Sequence, residues 1–300
     1  MHVPVLTKEV LRYLNPEANE NFIDATIGEA GHTAAILEKN NPNGRVLGIE
    51  WDTQLYELTK SRVAEFSIFN FQFSNRLILV NNSYADLKKI VERENFMPVN
   101  GILLDLGMSS WQLEESKRGF SFMKNEALGM RYNPQNILTA EKIVNEYPES
   151  EIEKILREYG EERFARQIAK KIEEKRKIKR IKTTFELVNV IKEALPPKFH
   201  RARIHFATRA FQAIRIAVNG ELDNLKDVLP QTLEILSEGG RLVIISFHSL
   251  EDRIVKNFFK NKSDEGLLKI LTKKPIMASE IEALKNPRAR SAKLRAIIKI

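Results

Sequence analysis

The chain has 300 residues, 43% hydrophobic and 29% charged, the balance of a soluble globular protein long enough for one large domain or two modest ones. It contains no cysteine, which excludes disulfides and thiolate metal sites and fits a cytoplasmic protein, and no apolar run of about 18 residues argues for a membrane span. A net charge of +8 and a pI near 9.4 favour an anionic partner.

The opening residues from Met1 to Lys8 lack the basic-then-apolar order of a signal peptide. Apolar residues at 5, 6, 10, 11 and 14 predict a helix that stops before Pro16. A first strand, about Phe22–Thr26, breaks through Gly28 and Gly31 into a helix from His32. Arg45–Glu50 reads as the second strand, Thr53–Phe66 as the next helix, and Leu77–Val80 as the third strand. Ser83 then caps a helix to about Glu94, and Gly101–Gly107 is a fourth strand whose apolar run implies burial on both faces. This alternation argues for a parallel sheet with helices on both sides.

From about Trp111 to His205 only helical patterns follow: Thr139–Glu146, Glu149–Tyr159, Glu162–Lys177 and Thr183–Ala194. A long helical stretch, Phe206–Leu236, is interrupted near Gly220 and Pro230. Strands return at Arg241–Ser246, Leu268–Thr272 and Leu294–Ile300, with a helix at Leu250–Phe259 between the first two. The pattern predicts one α/β domain, residues 1–110 and 206–300, split by a helical insertion at 111–205.

Ligands of open α/β sheets bind beyond the carboxyl ends of the strands. Three such ends point at one crevice: the turn Gly28–His32, Glu50 and Asp105. Glycines let the backbone approach a ligand, the helix start offers N–H groups, and Glu50, nineteen residues after Gly31, is placed to accept from a ribose diol. Glu50 also has a plainer reading as a solvated strand-end charge, and His32 as a helix cap. Asp105, inside Ile-Leu-Leu-Asp-Leu, must emerge at the crevice or be buried at high cost. The spacing Gly28-x-x-Gly31 is not the G-x-G-x-x-G of a nicotinamide enzyme. Asp105 followed by Gly107-Met-Ser109-Ser110 suits a methyl-donor nucleoside better, with acid and loop facing a reacting amine. The five histidines show no metal-ligand spacing, so no metal site is expected.

Several long stretches carry a resemblance: Gly101–Gly107, Arg118-Gly-Phe-Ser-Phe122, Tyr159–Ala165, Phe211–Ile216, Gly239–Ile254 and Asn286–Ser291. In these the chain resembles the bacterial 16S rRNA cytidine N4-methyltransferases, the H-type small-subunit rRNA methyltransferase family, over nearly its whole length. The resemblance implies a class I S-adenosylmethionine-dependent methyltransferase fold: a seven-stranded, mostly parallel sheet whose last strand is antiparallel, with an inserted all-helical domain. It implies S-adenosyl-L-methionine as cofactor and a cytidine in the decoding region (P site) of 16S rRNA as substrate. The partners are then the small ribosomal subunit and its rRNA, with no membrane and no DNA, as monomer or homodimer. A ribosome-assembly factor that binds RNA without catalysis is the alternative.

By position, cofactor contacts fall on Gly28, Ala30, Gly31, His32, Glu50, Tyr84, Asp105 and Gln112. Asp105, Ser109 and Ser110 are the candidate catalytic residues, accepting from the amine, and Phe120 and Phe122 are candidate walls for a flipped base. Ala30 stands where the family commonly has glycine, Glu50 where aspartate is commoner, and Trp111 where proline is frequent. Between Gly160 and Arg203 lie fourteen Lys/Arg and six Asp/Glu, a surplus of eight that equals the whole chain's. Arg163, Arg166, Lys170, Lys171, Lys175 and Arg176 are therefore the candidate RNA-binding residues, with Arg288, Arg290, Lys293 and Arg295 a second patch.

Overall fold

Alternation of side chains along the strands places two hydrophobic layers on one sheet. Phe22, Val46, Leu103, Val243 and Ala296 point to one face, Ile23, Leu47, Ile102, Ile244 and Ile297 to the other, all buried. The protein is seen in a computed structural model that describes residues 4–69, 75–200 and 204–300. It divides into two units, one running to Ser109 and resuming at Leu222–Ile300, the other Ser110–Glu221.

In the sheet unit the strands are β1 (Phe22–Asp24), β2 (Val46–Glu50), β3 (Leu77–Asn81), β4 (Val99–Asp105), β5 (Leu236–Ser246), β6 (Leu268–Ile270), β7 (Ile276–Met277) and β8 (Lys293–Lys299). Their order is β3-β2-β1-β4-β5-β8-β6, with β7 also paired to β8. The pairs from β3 to β5 are parallel, and β8 runs antiparallel to β5 and β6. This is the expected mostly parallel α/β sheet with its antiparallel strand beside β5. The additional β7 has two residues, too few for any alternation to show in sequence.

Helices α1 (Thr7–Leu14) and α2 (Gly31–Lys39) cover the face of Phe22, while α4 (Leu87–Arg93) covers the other; α3 (Thr53–Phe69) follows β2. Ser83 caps a 3₁₀ turn, Tyr84–Asp86, ahead of α4.

The helical unit contains α5 (Ser110–Glu114), α6 (Ala140–Glu146), α7 (Glu149–Gly160), α8 (Ala165–Ile178), α9 (Thr184–Ala194) and α10 (Thr208–Asn219). Thr183 and Glu186 form a reciprocal capping box at the start of α9. The unit extends sixteen residues past the boundary expected at 205, taking in α10, and Gly160 explains why. A Cβ there would meet the Arg209 carbonyl at 2.7 Å and the Ala213 methyl at 3.1 Å, so glycine lets α7 and α10 pack closely. Sequence periodicity reports a helix's apolar face but not which neighbour covers it.

Helices α11 (Glu221–Ile235) and α12 (Ser249–Asp264) return the chain to the sheet unit, and α13 (Glu280–Lys285) precedes β8. The break expected near Gly220 is present, with Gly220 in the left-handed region. The one expected at Pro230 is absent, because α11 continues through it. Leu225, Val228 and Leu229 are buried in the sheet's core, and that packing outweighs the roughly 3 kcal/mol an interior proline costs.

Candidate active site

Parallel pairing puts the carboxyl ends of β1 to β4 along one edge of the sheet. Asp24, Glu50, Asn81 and Asp105 each close their strand there. After β1 the backbone turns through Gly28, at φ +51°, and Ala30, at φ +64°, into α2. Gly31 is required for a different reason: a Cβ would lie 2.9 Å from the Pro4 ring.

Glu50 is tied to this turn. Its Oε2 accepts from the Gly28 N–H at 3.2 Å and its Oε1 from the Asp52 N–H at 2.9 Å. The Thr59 hydroxyl donates to the Gly28 carbonyl at 2.5 Å, and Glu29 pairs with Arg62. Burial, which outweighs the two backbone donors, pushes the Glu50 carboxyl up to about 8. A carboxylate oriented by backbone, with lone pairs left over, is a suitable acceptor for a ribose diol.

The other end of the crevice is built round Asp105. Its N–H donates to the Thr26 hydroxyl at 2.7 Å, and its Oδ2 lies 3.6 Å from Nε2 of the buried His32. His32 therefore does not cap α2, whose N-cap is Ala30 with no side-chain bond. Asp24 completes the group. Its Oδ2 accepts from the Thr33 hydroxyl at 2.7 Å and its Oδ1 from the Thr26 N–H at 3.3 Å, and burial pushes its carboxyl up. Asp24 and Thr26 were not singled out from sequence. The argument that marked Asp105, an acid ending an apolar strand, applied equally to Asp24 in Phe-Ile-Asp.

Tyr84 opens the 3₁₀ turn after β3 and packs against the core. Ser109 ends the sheet unit. Ser110 and Gln112 belong to α5 of the helical unit, where Gln112 is buried and Trp111 lies under the Arg118 guanidinium.

Comparison with known proteins gives a consistent result. The MraW methylase family model matches residues 1–300. A protein of Kosmotoga olearia named Ribosomal RNA small subunit methyltransferase H is 47% identical over 302 residues, covering 100% of this chain and 97% of that one. Its namesake in Thermotoga neapolitana is 46% identical over 298 residues, covering 98% and 95%. The chain belongs to the MraW methylase family. Its methyl donor is S-adenosyl-L-methionine, which suits the strand order and the glycine turn.

In the methylase's helical unit, the six basic residues singled out from sequence separate into two sets. Arg163, Arg166 and Lys170 are exposed, and none forms an ion pair among the described residues. Lys171, Lys175 and Arg176 pair with Glu174, Glu193 and Glu173. Arg176 also donates to the carbonyls of Val144 at 3.0 Å and Tyr147 at 2.7 Å, closing the end of α6. The Arg163 guanidinium stacks over Phe199 at 4.2 Å, beside a cavity of about 330 Å³ lined in part by Phe164, Phe199, His205 and Phe206.

Phe120 stacks on Tyr132 and Phe122 on His205, so both rings are engaged in this unit's own packing. Arg295, expected in a second basic patch, is buried on the methylase's β8 and forms a bidentate pair with Asp252 at 2.6 and 3.2 Å. It holds α12 to β8 and has no surface to offer RNA.

Proposed function

We propose that the chain transfers a methyl group from S-adenosyl-L-methionine to N4 of a cytidine in the decoding region (P site) of 16S rRNA, in the small ribosomal subunit of the cytoplasm. The observation that carries this reading is the junction at the strand ends, where one turn is bonded to Glu50 and its following helix sets His32 against Asp105. The relatives' shared name supports the rRNA substrate.

The donor supplies an electrophilic methyl group on a sulfonium. Glu50 would accept from the ribose hydroxyls, Gly28, Ala30, Gly31 and His32 would form the turn beside the donor, and Tyr84 would lie near the adenine. The cytosine amine is a poor nucleophile because its lone pair is delocalised into the ring. Catalysis is then mainly in-line positioning and an acceptor for the departing N–H proton. Asp105 is that acceptor, and Ser109 and Ser110 orient the amine. With no cysteine in the chain, covalent attack on the pyrimidine by a thiolate is not available. Arg163, Arg166 and Lys170 contact RNA phosphates, and the aromatic cavity beside Arg163 suits an unpaired base stacked near them.

Incubation with labelled donor and immature small subunits, followed by nuclease digestion, should yield N4-methylcytidine. Asp105→Asn should lower kcat by about 10²-fold or more while retaining donor binding. An assembly factor without catalysis would bind the subunit and transfer no label.

A further inference from the structure

His32 is only 6% exposed, and neither of its ring nitrogens has a hydrogen-bond partner. A neutral ring buried like this strands one donor and one acceptor, a costly arrangement. The charges around it point to a different state. Burial alone favours the neutral imidazole, but Asp105 at the end of β4, then Asp24 on β1 and Glu282 on α13, outweigh it and raise its proton affinity above that of an ordinary histidine. Asp105 needs such a neighbour. Its Oδ1 is buried without a hydrogen-bond partner, and no lysine or arginine pairs with it among the described residues.

We propose that His32 is a positioning residue for methyl transfer: as an imidazolium against Oδ2, it holds the Asp105 carboxylate in one orientation for the substrate amine. The proposal rests on Asp105 being the acceptor. In the step itself the N–C bond forms as the donor's C–S bond breaks, sulfur keeps the electron pair, and the N–H proton passes to an Asp105 oxygen. The methylated exocyclic nitrogen is strongly acidic before it loses that proton. A weak base therefore suffices, provided it is aimed, and an imidazolium contact aims it without blocking the second oxygen.

Two measurements on the full chain test this. With ring-labelled histidine, the His32 resonance, assigned through His32→Gln, should titrate with a midpoint above the ordinary value of about 6.5. Asp105→Asn should lower that midpoint by about one unit or more. A midpoint at or below the ordinary value, or one unmoved by Asp105→Asn, overturns the proposal without any activity assay. In turnover with saturating small subunits and saturating donor, His32→Gln should cost about tenfold or more in kcat. If His32→Gln is fully active and Asp105→Asn is not, the positioning role is refuted and the acceptor reading survives. Full activity of Asp105→Asn refutes both.

Discussion

The sheet's crevice and helix α8 both concentrate charge, with opposite physics. At the crevice a few ionisable groups are buried together, and each strongly affects its neighbours: burial drives Glu50 to about 8, and carboxylates raise His32. On α8 the charged groups are numerous and no charged residue is buried, and half of the six basic residues expected to bind RNA, counting Arg163 just before it, are matched by glutamates. Exposed pairs contribute little and are screened by salt, whereas buried ones act at low effective dielectric. Counting charges therefore finds the basic segment but overstates how many of its cations are free of an acidic partner. Burial, not number, decides which charges do chemistry.

The largest effect expected from this contrast separates the two sets on α8. Arg166→Glu with Lys170→Glu should weaken binding to small-subunit rRNA by about 10–100-fold and flatten its dependence on log salt by about 0.7–0.9 for each phosphate no longer neutralised. Lys171→Glu with Lys175→Glu carries the same formal charge change but removes cations already held by Glu174 and Glu193, and should cost clearly less. Filter binding across a salt series checks both. Equal losses would mean that net charge alone matters and that the pairing is irrelevant. Donor binding should be unchanged in both variants.

A smaller effect belongs to the crevice. With the Glu50 carboxyl near 8 when folded and near 4.5 when unfolded, the folded chain holds the extra proton between those values. The stability this contributes is complete below the unfolded value and is lost as pH rises through the folded one. Thermal melts of the ligand-free protein should thus decline from about pH 5 to pH 8, and Glu50→Gln should flatten the slope. A ribose diol prefers the ionised acceptor, so nucleoside binding should tighten as pH rises through about 8, by at most tenfold per unit. Methylthioadenosine is the appropriate probe because it lacks the donor's own titrating amino group. Binding by wild type that shows no more slope than Glu50→Gln would remove Glu50 from the ribose.

Much of this was legible in sequence because it is local or periodic. The period-two strands, the glycine turn and the acid ending an apolar strand all announce themselves within a few residues. What was hidden depends on neighbours distant in the chain. Gly160, just past the helix expected to end at Tyr159, shows its role only with Arg209 and Ala213 against it. Arg295 looked like part of a basic patch until Asp252 took it. Within the distinctive stretch Gly239–Ile254, His248 and Glu251 cap α12 and Asp252 anchors β8, so part of that stretch serves to hold the fold. The Asp24–His32–Asp105 grouping was half visible: His32 and Asp105 each stood out in sequence, but only the strand register of β1 against β4 brings the three together.

The smallest test concerns Ala30, whose backbone is the most direct mark the crevice leaves on a single residue. Its φ of +64° lies in the left-handed region, so the alanine is held there against its preference. That conformation costs a non-glycine residue about 1–2 kcal/mol. Ala30→Gly removes the strain but gives the unfolded chain more freedom, worth about 0.4–1 kcal/mol in the other direction. The strain is the larger quantity, so the variant should be more stable by about 0.5–1 kcal/mol, a rise of roughly 1–4 °C in Tm for a unit of this size. The comparable exposed change Lys170→Ala, which breaks no ion pair, should leave Tm nearly unmoved. A lower Tm for Ala30→Gly would show that the Ala30 methyl contributes packing that exceeds its backbone cost, and that the turn tolerates alanine for that reason.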